Sequence, residues 1–268
     1  AFISAAGGAS VGQYGPLVHF GATMGSFLRR LTGGVLSTDI FIGCGVAGAI
    51  AAGFNAPIAG IIFAHEAILR HFSMRAIGPI AIASVSSVWF SELFFGSQQL
   101  FDFGAISINL SEMLPAALVA GPVFGLLAVC FMYAIRQSAR FAVTSGWSFA
   151  QLVFTAAGIT GCVGMFMPQV LGLGTSTLDA MLNGGMDPGF LVTLLVLKLT
   201  LTALCIGFGM FGGIFSPALF VGAAAGCVAG QLMLALLGFG SETALAICGM
   251  AAVGSAVIGA PVAGVLII

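Results

Sequence analysis

An all-helical membrane protein made of two related halves, with several helices broken inside the bilayer, is the fold class that the sequence predicts. Three observations carry this. Hydrophobic residues fill 60% of the 268 positions and charged residues 6%, at a mean hydropathy of +1.18, whereas soluble domains carry about 25% charged residues. A glycine-proline break also occurs twice. Gly12-Gln13-Tyr14-Gly15-Pro16 is followed by Gly21, Ala22 and Gly25, and Gly212-Gly213-Ile214-Phe215-Ser216-Pro217 by Gly222, Ala223 and Gly226, at the same steps after each proline. A second pair follows in each half, Ala56-Pro57-Ile58-Ala59-Gly60 and Ala260-Pro261-Val262-Ala263-Gly264. Finally, the few charges sort by sign into separate loops.

A bilayer span needs about 20 apolar residues, and apolar bands run over 16–28, 40–64, 77–95, 113–135, 149–170, 190–210, 214–238 and 244–268. With no linker-like stretch between them, residues 1–268 read as a single membrane domain, partial at both ends. Residues 1 to ~110 are most of the first repeat and ~111 to 268 most of the second. Arg29 and Arg30, Arg70 and Arg75, and Arg136 and Arg140 mark three predicted inner loops; Asp102 and Glu112, Asp179 and Asp187, and Glu242 mark three outer ones. The first two Arg loops then share a side, so the 40–64 band must enter and return as two shorter helices. Gly53-Phe54-Asn55-Ala56-Pro57 supplies the break, because proline donates no backbone hydrogen bond and disfavours helix in the residue before it. Forty glycines suit closely packed and interrupted helices.

Composition excludes several classes. A net charge of −1 and no basic patch leave nothing to meet nucleic-acid phosphates. Cys44, Cys130, Cys162, Cys205, Cys227 and Cys248 sit in apolar runs without metal or redox spacing and read as small buried hydrophobes. No Ser-His-Asp arrangement, metal cluster or phosphate-cradling loop is visible, so neither an enzyme nor a cofactor is expected. No signal peptide is read at the start. The chain opens on Ala1 and closes within the apolar run Val262 to Ile268, which predicts a portion of a longer protein.

Few residues could carry chemistry. Gly212 to Pro217 leads into a helix with proline in its first turn, exposing N–H groups at a positive dipole end that suits an anion. The N–H groups of Ile214 and Phe215 could hold a dehydrated anion; the other reading is a tight turn packed on a neighbouring helix. Tyr14, at the centre of the duplicated break, donates to an anion through its O–H, or plugs a narrow passage with its ring, or is an interfacial or core tyrosine satisfied by a backbone carbonyl. Asn55-Ala56-Pro57 has the wrong order for the Asn-Pro-Ala of water channels. His65 and Glu66 read as structural, with Glu66 four residues from Arg70, and His19 as a packed or hydrogen-bonded helix residue. Lys198, inside an apolar band, must pair, snorkel or add positive potential near an anion path.

These motifs in register resemble the CLC family of chloride channels and proton-coupled chloride antiporters. Gly12 to Pro16 is similar to its G-[KR]-E-G-P motif and Gly213 to Pro217 to its G-x-F-x-P motif. Phe54 to Glu66 and Ala260 to Gly264 resemble the segments that follow. The resemblance implies a CLC-type inverted (antiparallel) two-repeat helical fold with broken and re-entrant helices. It further implies a homodimer with a pore in each subunit, embedded in the lipid bilayer of the plasma (inner) membrane as a multi-pass protein. It implies chloride, or another small monovalent anion, held at mid-membrane by Ile214 and Phe215 with Gly213, and Tyr14 and Gly15 on the outer path. The family's gating glutamate is replaced by Tyr14, its basic neighbour by Gln13, and the inner proton glutamate by Ala67. With both carboxylates gone, the expectation is passive anion conduction with Tyr14 lining or gating the path. The alternatives are an anion/proton antiporter with altered coupling, or a non-conducting subunit of a larger complex. The family's serine motif would precede Ala1; its late tyrosine and any cytoplasmic regulatory domain would follow Ile268.

Overall fold

The computed structural model describes residues 2–33, 36–96, 110–238 and 240–268, and every regular element among them is helical. In chain order these are α1 (Phe2–Ala6), α2 (Tyr14–Leu31), α3 (Thr38–Phe54), α4 (Pro57–Phe63), α5 (Met74–Phe95), α6 (Leu110–Thr144), α7 (Phe149–Phe166), α8 (Thr175–Leu182), α9 (Pro188–Gly207), α10 (Phe215–Leu237), α11 (Glu242–Ile258) and α12 (Pro261–Ile267). A π-helical turn (Ala64–Leu69) extends α4, and a 3-10 turn (Pro168–Val170) follows α7. Helices α5, α6, α7, α9 and α10 are long and apolar enough to cross a membrane. Two compact units result, one of residues 1–13 and 102–257, the other of 14–101 and 258–268.

In the second unit, the 40–64 band divides as its charges and breakers require. Asn55 ends α3 in the left-handed conformation (φ 53), Ala56 is non-helical (φ −129, ψ 81), and Pro57 opens α4. The same backbone recurs before α12, where Gly259 is left-handed (φ 73) and Ala260 has φ −130 and ψ 77 ahead of Pro261. Asn and Gly are the residues that enter this region at least cost. The Ser84 hydroxyl donates to the Pro57 carbonyl at 2.7 Å, satisfying one group of the broken segment. Gly21 and Gly25 of α2 lie against the backbones of Gly45 and Phe41 in α3, with no room for a Cβ on either.

The first unit repeats that packing: Gly222 and Gly226 of α10 meet the backbones of Gly249 and Leu245 in α11. Without water to drive apolar association, such close approach is what holds membrane helices together. On α6, Ala116, Ala120, Phe124, Ala128 and Phe131 form one buried stripe, clustered with Leu245, Val253 and Val257 of α11.

Some charged residues do not lie in loops. Arg29 and Arg30 occupy the last turn of α2, while Glu112, Arg136 and Arg140 lie within the 35 residues of α6. A helix longer than the bilayer carries its polar ends past the hydrocarbon, so charges there need no loop. Asp102 is outside the described residues. Cys205 and Cys227 are buried as expected, but Cys130 and Cys162 are exposed on their helices. An apolar run facing lipid has no reason to be covered by protein.

Candidate functional site

The start of α10 is built by backbone contact between two glycine loops of one unit. Gly12 and Gly213 exchange both N–H···O=C hydrogen bonds, each 2.6 Å, as an isolated antiparallel bridge. Glycine is needed on each side. A Cβ on Gly12 would sit 3.0 Å from both the Gly213 carbonyl oxygen and Ser216 Oγ, and one on Gly212 would collide with the Val11 side chain. Ile214 follows at φ −94, ψ −12, and no side chain caps the helix. The Gly213 N–H is occupied by Gly12, and Pro217 has none. The N–H groups of Ile214 and Ser216 therefore lie in the first turn, where a helix offers no intrahelical carbonyl, at its positive dipole end.

Two further details define this helix start. The Phe215 ring is buried against Gly254 of α11, where a Cβ would be 3.1 Å from Phe215 Cε2, so its side chain is committed to the core. Ser216 is 9% exposed and its Oγ is buried without a protein hydrogen-bond partner. Sequence reading passed over Ser216; its position beside the proline of the break is the signal that could have raised it. Gly213, Ile214 and Phe215 are thus brought together with an extra hydroxyl and no full charge.

Tyr14 and Gly15 belong to the other unit, at the start of α2. Tyr14 is buried, its ring stacked on Phe54 with centroids 3.8 Å apart and planes at 23°, beside Gly53. Phe54 directly precedes the Asn55 break, so the tyrosine of one broken segment packs on the end of another. Gly15 is half-buried.

Glu66 has a definite partner. Its carboxylate accepts the N–H groups of Val262 and Ala263, at 3.1 and 2.8 Å, and so closes the start of α12. Arg70, the partner expected from helical spacing, instead leaves the π-turn exposed in a left-handed conformation (φ 58). Glu66→Gln keeps one acceptor but loses the charge. It should lower stability by about 1–2 kcal/mol, read as a lower thermal midpoint in detergent with anion transport retained. His65 is fully buried, with Nδ1 2.9 Å from the Ile61 carbonyl and its ring stacked on Phe72. No group of three or more His, Cys, Asp or Glu could hold a metal among the described residues.

Paired broken segments and an uncapped helix start among long apolar helices define a multi-pass membrane protein. The family model described as voltage gated chloride channel matches residues 1–268, and the chain belongs to that family, the CLC proteins. It is 32% identical to a ClcB-like chloride channel protein of Ralstonia nicotianae, covering 99% of this chain and 63% of that one. It is 29% identical to the H(+)/Cl(-) exchange transporter ClcA of Vibrio cholerae, covering 97% of this chain and 58% of that one. The structure of a slow cyanobacterial Cl-/H+ antiporter superposes with a TM-score of 0.88 at 20% identity, over 99% of this chain and 64% of that one. The fold is accordingly CLC-type, and the chain spans about three fifths of the length of these two curated relatives.

Proposed function

We propose that the protein conducts chloride or similar small monovalent anions passively across the plasma membrane, as a homodimer with one path in each subunit. The anion is held by the N–H groups of Ile214 and Phe215, with Gly213 setting the turn and Tyr14 and Gly15 lining or gating the outer path. The observation that carries this is the start of α10: no side chain caps its positive dipole end, and the Ser216 hydroxyl beside it is buried without a protein hydrogen-bond partner. Several donors and a helix dipole stabilise an anion with no full positive charge in direct contact with it, which favours passage over trapping.

Uncoupled conduction follows from what occupies two other positions. Tyr14 stands where the resemblance places an outer carboxylate, and Ala67 where it places an inner one. A phenol and a methyl group cannot replace carboxylates as proton relays near neutral pH. Purified protein in liposomes should release chloride only when a potassium ionophore balances the charge, with no fixed ratio of protons taken up. A constant proton-to-chloride stoichiometry in the same assay would overturn the passive reading in favour of exchange.

A further inference from the structure

We infer that Lys198 is the fixed positive charge that sets anion affinity at the start of α10, acting through space rather than by contact. The inference rests on the anion site proposed above. Lys198 lies mid-way along α9 and is wholly buried. It does not snorkel. Its Nζ donates to the carbonyls of Val170, at 3.0 Å, and Gly172, at 2.6 Å, and lies 5.1 Å from the centroid of the Phe220 ring. All three partners attract a cation, and none offers a hydrogen to the lone pair of a neutral amine. The cradle is made for an ammonium.

The cradle is also specifically shaped. The 3-10 turn Pro168–Val170 is followed by Gly172 and Gly174, both at positive φ (53 and 70). A Cβ on Gly174 would come within 2.8 Å of the Phe220 ring, so glycine lets the turn close over ring and ammonium together. None of these partners carries negative charge. Carbonyl dipoles and a π face offset only part of the cost of burying a cation, leaving a positive potential in the surrounding helices.

That potential falls on the proposed anion site. Phe220 is on α10, five residues from Phe215, or about 7.5 Å along the axis. The ammonium is therefore on the order of 10 Å from the helix start, where an effective dielectric constant near 20 makes one charge worth roughly tenfold in affinity.

The test is chloride titration by calorimetry on the detergent-solubilised protein, with thermal midpoints recorded alongside. Lys198→Met and Lys198→Gln remove the charge, the second keeping amide donors for the turn; Lys198→Arg keeps the charge. Roughly tenfold weaker chloride binding in a folded Met or Gln variant, with Arg within about twofold of wild type, supports the inference. A folded Lys198→Met or Lys198→Gln protein with wild-type affinity overturns it and makes Lys198 only a clamp on the 168–174 turn. Folded wild-type protein that binds no chloride instead overturns the anion-site reading, and this inference with it.

Discussion

Gly226→Ala should abolish recovery of folded protein. The new methyl group would fall inside the contact distance of the Leu245 carbonyl and the α11 backbone. Backbone has no rotamer through which to yield, so α10 and α11 must part along their length. Overpacking a core costs about 1–3 kcal/mol when side chains can adjust; here they cannot, and the cost is a large share of a total stability of about 5–15 kcal/mol. Helix separation also forfeits the close contact that stabilises the pair in lipid. Gly125→Ala is the matched control. Gly125 is also in an apolar helix, but nothing lies within 4 Å of its would-be Cβ. Alanine there should raise stability by about 0.5–1 kcal/mol through helix propensity. Size-exclusion profiles and thermal midpoints in detergent check both, and a monodisperse Gly226→Ala protein with the wild-type midpoint would refute the packing argument.

Tyr14→Glu should convert pH-insensitive anion efflux into efflux that is low at neutral pH and recovers as pH falls. An ionised carboxylate beside an anion path competes with the anion electrostatically, and protonation removes the competition. The expected loss at neutral pH is tenfold or more, since a like charge on the proposed anion path costs well over 1.4 kcal/mol where water is partly excluded. Tyr14→Phe is the necessary companion. It preserves the stack on Phe54 while deleting only the hydroxyl, and should retain both the fold and pH-insensitive efflux. Tyr14→Ala would empty a buried aromatic site at a cost of about 3–5 kcal/mol, confounding path with stability. Wild-type efflux at neutral pH from folded Tyr14→Glu protein would remove Tyr14 from the path.

Most of the site's frame was legible in the residues. The break at Asn55-Ala56-Pro57, its counterpart before Pro261, and the helix start at Gly213 to Pro217 all follow from glycine and proline chemistry, which acts locally and is written at each position. Apolar bands located the helices, because crossing hydrocarbon demands length and composition that no loop satisfies. The exposed Cys130 and Cys162 mark the limit of that argument: with lipid as solvent, an apolar residue is as stable outside as inside.

The sequence alone thus determined the membrane class, the duplicated breaks, and the tyrosine and alanine at positions 14 and 67. Tertiary structure alone decided the partners. Glu66 meets Val262 and Ala263 rather than Arg70, Lys198 meets two carbonyls of a distant turn, and Gly12 meets Gly213. Each of these joins residues remote in the chain, where no local propensity reaches. In a membrane interior, a polar group must find whatever partner the packing brings to it.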